Sequence, residues 1–202
     1  TAILVSPYPI ETGSSSELKD GKGNLLPDAY QKDSFYYMKE MLSRIRAHGG
    51  VKNVLIDLSR NGGGNLGALF RILGLMSDDD VTYASRNRLD GTTAVSRMKV
   101  DADEDGDYDD ADALASYHWG LLTSKLTFSA ANYWACYVKD HGIGKIFGVQ
   151  SGGGACSIVG FVNADGSSFH ISGPNAMMTF MGKNDFRSVA KGAVPDKEMD
   201  PG

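Results

Sequence analysis

Val54-Leu55-Ile56-Asp57-Leu58-Ser59-Arg60-Asn61-Gly62-Gly63-Gly64-Asn65 is the stretch on which the fold turns. Its first part is a short apolar run of strand length. Residues Leu66 to Met76 resume with helical character, so the glycines stand at a strand-to-helix turn. Three consecutive glycines there let backbone N–H groups approach a ligand without side-chain obstruction. A phosphate cradle would need a Lys-Ser/Thr pair after the glycines, and a dinucleotide site a different glycine spacing; the sequence has neither. A tight turn that binds nothing would use the same residues.

Outward from this turn, strands are predicted at 2–6, 53–58, 81–86, 94–100, 118–123 and 145–149, and helices at 33–47, 65–76 and 129–140. A Gly/Ser-rich loop is expected over 12–28. A pair of strands near 156–163 and 167–172 turns at Asn163-Ala164-Asp165-Gly166. Phe35, Met38, Leu42 and Ile45 recur at steps of three and four, marking the buried face of the first helix. Alternating strands and helices imply an α/β layered fold. With 202 residues, 42% of them hydrophobic, and 25 glycines, the chain fits one domain with a sizeable core and many tight turns.

A second informative stretch is Thr127-Phe128-Ser129-Ala130-Ala131-Asn132, which opens the helix ending at His141-Gly142. Unpaired N–H groups and the positive end of the helix dipole converge on the first turn of a helix, a seat suited to a nucleophile or a bound oxyanion. Serine is equally at home there as a plain N-cap.

Taken in order, Ile56 to Gly64, Leu122 to Ala131, His141 to Gly148 and Gly192-Ala193-Val194-Pro195-Asp196 resemble the serine peptidase family of tail-specific (C-terminal processing) proteases and tricorn core domains, which also includes retinoid-binding repeats. The likeness runs from about residue 30 to 200, and its Gly-Gly-Gly and Thr-Phe-Ser-Ala-Ala wording leans to the tricorn-like side. The resemblance implies a crotonase-like (ClpP-like) ββα spiral and a serine-type endopeptidase acting on a peptide or protein substrate. It also implies Ser129 as nucleophile and the N–H groups of Gly63 and Ala130 as the oxyanion hole. Donors aimed at a tetrahedral oxyanion are worth about 3 kcal/mol each to the transition state.

The sequence departs from the family at the general base. The tail-specific branch carries a lysine about 25 residues after the serine, where this chain has Gly154. The tricorn branch pairs a histidine with a glutamate, whose place falls at Arg187-Ser188-Val189, and its histidine lies in a segment before residue 1. Inside the chain, His48 and His141 read as helix-end residues complementing the dipole. His118 and His170 are the histidines that could approach the cleft, with Lys125 and Asp185 weaker. The expectation is a base supplied from outside this chain. The alternative is a catalytically inactive relative that binds a peptide or ligand.

Asp101-Ala102-Asp103-Glu104-Asp105-Gly106-Asp107-Tyr108-Asp109-Asp110-Ala111-Asp112 is the other strong feature. Acidic residues at positions 1, 3, 5, 9 and 12 with glycine at 6 match the oxygen-ligand spacing of EF-hand and dockerin-type calcium loops. Asp101, Asp103, Asp105, Asp109 and Asp112 would offer side-chain oxygens and Asp107 its carbonyl. An aspartate at position 12, shorter than glutamate, suggests modest affinity. Outside this loop Lys and Arg outnumber Asp and Glu, so the acidity of a chain of net charge −5 is local. A solvated acidic insertion is the plainer account. Flanking EF-hand helices are not evident, so 101–112 is expected as a calcium loop inserted into the catalytic core of 1–202.

No run approaches 18 apolar residues, so no membrane span is expected. A pI near 5.3 without a basic cluster argues against nucleic acid. Cys136 and Cys156 pair or stay free; two cysteines make no framework. Thr1 followed at once by a strand pattern reads as a trimmed piece of something longer. An exported, extracytoplasmic setting is expected from the resemblance and from a weak calcium loop that millimolar calcium would fill.

Overall fold

In β2 (Asn53–Asp57), Val54 and Ile56 are buried and Leu55 half-buried, which is the pattern of an interior strand rather than an edge. The computed structural model, which describes residues 1–108 and 116–201, places β2 inside a five-stranded parallel sheet. The order is β1 (Ala2–Val5), β2, β5 (His118–Thr123), β6 (Gly144–Gly148) and β10 (Lys197–Glu198). Register sets Leu4 opposite Ile56 and Ile56 opposite Leu121.

Parallel neighbours need crossover connections. α2 (Ser34–His48) joins β1 to β2, α3 (Leu66–Gly74) follows β2, and α4 (Ser129–Asp140) joins β5 to β6. Asp33, 2% exposed, caps α2 by accepting from the N–H groups of Phe35 (2.8 Å) and Tyr36 (3.1 Å). Phe35, Met38 and Leu42 of α2, Leu69 and Leu73 of α3, and Tyr133 and Trp134 of α4 are buried in one core with Leu4, Ile56 and Ile146 of the sheet.

Between β2 and β5 the chain also makes β3 (Val81–Asn87) and β4 (Thr93–Met98). These join β7 (Cys156–Val162) and β8 (Ser168–Phe180) in an antiparallel sheet ordered β4-β3-β8-β7, with β9 (Phe186–Ser188) on β8. The architecture is mixed α/β, as expected.

Three differences from the sequence expectation have physical causes. β8 continues to Phe180 instead of ending near 172: Gly173-Pro174 reads as a breaker, yet Asn175 to Met178 pair with Asn87 to Ala84 of β3. The loop predicted over 12–28 contains a one-turn helix, α1 (Ser15–Leu18), closed by a capping box between Ser14 and Glu17. β9 and β10 are too short to show periodicity. Both cysteines are free thiols, and burial pushes that of Cys136 up to about 12, which suppresses its thiolate. Among the described residues no helix is long and apolar enough to cross a membrane.

Ile10 and Gly64 form an isolated parallel bridge that brings the segment after β1 onto the glycine turn. Gly64 has φ +149°, and a methyl group there would overlap the backbone of Ile10. Gly64→Ala is therefore expected to cost about 3 kcal/mol through overpacking and backbone strain. An unchanged urea midpoint would show that the approach is not this close.

Candidate active site

The loop between β5 and α4 is pinned to the end of β2. Thr127, fully buried, donates its hydroxyl to the Leu58 carbonyl (2.7 Å), and the Ser124 hydroxyl donates to the Ser59 carbonyl. The Phe128 N–H donates to the Asn61 carbonyl (3.0 Å), and the Ser129 N–H to the Gly153 carbonyl (2.9 Å). Together these bonds tie the segment leading into α4 to the turn after β2 and to the loop between β6 and β7.

The N-cap of α4 is Phe128, in extended conformation, and Ser129 is the first helical residue. A plain capping role for Ser129 is thereby removed. Ser129 takes φ +55°, a left-handed conformation that costs a non-glycine residue on the order of 1–3 kcal/mol and collects at functional turns. Its hydroxyl makes no hydrogen bond among the described residues.

Gly63 lies directly against this turn. A Cβ on it would stand 2.7 Å from the Ser129 Cβ, 2.7 Å from the Phe128 carbonyl oxygen and 2.8 Å from the Ala130 nitrogen, so only glycine fits. Ser129, Ala130 and Gly63 are therefore brought together. Their donors differ, however. The Ala130 N–H has no acceptor among the described residues, whereas the Gly63 N–H donates to Asn61 Oδ1 at 2.9 Å.

The place of the tail-specific lysine, Gly154, has φ +79°, and a Cβ there would run into the Phe128 ring, 2.7 Å from Cε1. At the place of the tricorn-type glutamate, Arg187 pairs with Asp140 (3.2 Å) and Asp185 (3.4 Å), and Ser188 Oγ accepts from the Ala190 N–H (3.3 Å). Among the described residues no histidine stands in the site. His118 starts β5, about 16 Å along the strand from the Thr123 end that leads to Ser129. His141 closes the far end of α4, about 18 Å from Ser129, stacked on Tyr137 at 4.0 Å; burial lowers its pKa. His170 lies opposite Gly160 on the exposed β7–β8 pair, and His48 ends α2. Lys125 is exposed, and Asp185 is held by Arg187.

Sequence reasoning missed a buried polar network under the site. Asn132, one turn along α4 from Ser129, donates to the Val189 carbonyl (2.9 Å) and accepts from the Ser151 hydroxyl (2.7 Å); Ser151 Oγ in turn accepts from the Ala193 N–H (2.7 Å). It fastens the 150–154 and 189–193 segments to α4. Their polar character alone carried no signal, because Ser and Asn more often face water.

In the acidic loop, Asp101, Asp103 and Asp105 each present a carboxylate oxygen, all within 4.8 Å of one another. The loop is turned by its own carboxylates: Asp101 accepts from Glu104 N–H (2.6 Å) and Gly106 N–H (3.0 Å), and Asp105 from Asp107 N–H (2.8 Å). Glu104 points away, to the Tyr36 hydroxyl (2.6 Å) and towards Lys39 (3.7 Å) and Lys19 (3.9 Å). Asp109 and Asp112 lie outside the described residues.

The sequence model of peptidase family S41 matches residues 27–198. The chain belongs to peptidase family S41. No curated protein matches it by sequence. Among solved structures, this S41 chain resembles a photosystem II D1 C-terminal processing protease (TM-score 0.61, 20% identity, 88% of this chain and 40% of that one). It also resembles a lipoprotein from Streptococcus agalactiae (0.62, 16%, 98% and 62%) and mature CPAF complexed with lactacystin (0.60, 14%, 97% and 46%). At these identities the likeness is one of fold, and the S41 chain spans less than two thirds of each of these structures.

Proposed function

We propose that residues 1–202 form the nucleophile-bearing core of a serine endopeptidase, built as the crotonase-like ββα spiral that the family likeness implies. The observation that carries it is the strained turn at Ser129: a left-handed serine at a helix start, its hydroxyl unengaged and Gly63 packed against it. Ser129 Oγ would add to the scissile carbonyl of an extended peptide while a base takes its proton. The Ala130 N–H and the α4 dipole would receive the oxyanion. Gly63 would join as second donor with its N–H shared between Asn61 Oδ1, which keeps it in place, and the oxyanion. Collapse of the tetrahedral species expels the amine, which takes the proton from the base, and leaves the acyl group on Ser129 for water to hydrolyse. The base comes from outside the chain. Covalent labelling of Ser129 by a fluorophosphonate, in the full protein with its base in place, tests the proposal.

One observation favours a second possibility, a peptide-binding relative without turnover: the Phe128 ring fills the space above Gly154 where a lysine base would project. Labelling separates the two, since a binding module leaves Ser129 unmodified.

The acidic loop is proposed as a structural calcium site. Asp101, Asp103 and Asp105 already converge, and all are hard oxygen donors; Asp107, Asp109 and Asp112 would complete the set. Calcium would neutralise their mutual repulsion. With calcium at 100 times Kd, mass action stabilises the native chain by about 2.7 kcal/mol, so the melting temperature should rise by several degrees over that in chelator. Equal melting temperatures would return the loop to a solvated insertion. An extracytoplasmic location, where calcium is abundant, agrees with this site and with the lipoprotein among the structural relatives.

A further inference from the structure

Asn61 is 1% exposed, and every polar group it carries is engaged. Its N–H donates to the Leu58 carbonyl (3.0 Å) and its own carbonyl accepts from the Phe128 N–H (3.0 Å). The carboxamide Nδ2 donates to Ser6 Oγ (3.0 Å) and to the Pro7 carbonyl (2.8 Å), while Oδ1 accepts from the Gly63 N–H (2.9 Å). One side chain thus joins the segment leaving β1 to the glycine turn after β2, and its backbone joins both to the residue preceding Ser129. Gly63 approaches Ser129 so closely that a displacement of a few tenths of an ångström alters the contact.

We propose that Asn61 is the positioning residue of this site: its carboxamide fixes the glycine turn against Ser129, and so sets where the oxyanion donors stand relative to the nucleophile. This rests on the peptidase function proposed above. Asn61 touches no reacting atom. A buried carboxamide suits the task because it offers acceptor and donors in one rigid plane, and both ends are satisfied here. An aliphatic side chain would leave the Gly63 N–H, Ser6 and the Pro7 carbonyl without these partners.

The test measures, in the full protein with its base in place, fluorophosphonate labelling of Ser129, with the limiting rate and the half-saturating concentration obtained separately, together with amide hydrogen exchange at the glycine turn. Asn61→Ala is expected to lower the limiting rate about 10²-fold, as loss of one oxyanion donor does, with half-saturation moved less than about twofold. Asn61→Asp, which keeps an acceptor for Gly63, should recover part of that rate. Ser6→Ala, which removes one tether and keeps the fold even if Asn61→Ala does not, should cost about 3- to 10-fold by the same logic. An unchanged limiting rate in Asn61→Ala and Ser6→Ala, or a loss confined to half-saturation, would overturn the proposal. If wild-type Ser129 resists labelling, the peptidase function itself fails, and exchange decides on Asn61 alone. A Gly63 amide protected in the wild type and in Asn61→Asp but released in Asn61→Ala would support the tether, and one that exchanges freely in the wild type would refute it.

Discussion

Ser129→Ala is expected to abolish fluorophosphonate labelling completely, and in the full protein with its base in place to lower peptide hydrolysis by about 10⁶. The magnitude follows from the role proposed for Ser129 Oγ, the atom that would bind substrate covalently and that neither binding nor an oxyanion donor can replace. A companion result separates nucleophile from scaffold. Ser129 sits at φ +55°, where glycine rests without penalty, so Ser129→Gly should be inactive yet more stable than wild type by about 1 kcal/mol. Instability in Ser129→Gly would mean that the left-handed turn is not held as described. Residual labelling in Ser129→Ala would place the nucleophile on another residue.

The outline of the fold was legible because its long elements carry strong periodicity. The Val54 to Leu58 run and the Phe35-Met38-Leu42 face are buried as their spacing implies. The turn at Ser129 was legible only through its neighbours: a serine at a helix start looks like a cap, and its positive φ has no signature in the residue itself. What made it visible was the glycine run, two of whose members are needed, Gly63 where it meets Ser129 and Gly64 where it meets Ile10. The role of Asn61 was hidden inside the same run, where an asparagine reads as one more turn residue. Long-range pairing was equally hidden. The extension of β8 past Pro174 depends on β3 waiting at residues 84–87, far away in sequence. Likewise nothing local told that Ser151 and Asn132 would meet. Of the two N–H groups expected as oxyanion donors, that of Ala130 has no acceptor among the described residues, while that of Gly63 is engaged by a side chain two residues earlier.

The 202-residue chain alone is expected to hydrolyse an unstructured peptide very slowly, at about 10³ to 10⁴ over water, which is what an oxyanion hole and binding supply without a base. A serine hydroxyl at neutral pH is a poor nucleophile, so the missing proton acceptor costs about as much as the missing serine. The described residues give reasons to expect none within reach. Gly154 holds the place of a lysine, but its φ of +79° and the Phe128 ring both oppose a side chain there. Arg187 is committed to Asp140 and Asp185, and His118 and His141 stand at the far ends of β5 and α4. For the same reason Gly154→Lys should fail to restore turnover, and removal of the ring in Gly154→Lys with Phe128→Ala would relieve only the clash and not the strained φ. The check is turnover of a quenched peptide by the isolated chain beside its Ser129→Ala variant. Fast turnover that disappears in Ser129→Ala would mean that a group inside the chain, with Lys125 the first to examine, moves to within hydrogen-bonding distance of Ser129 once substrate is bound.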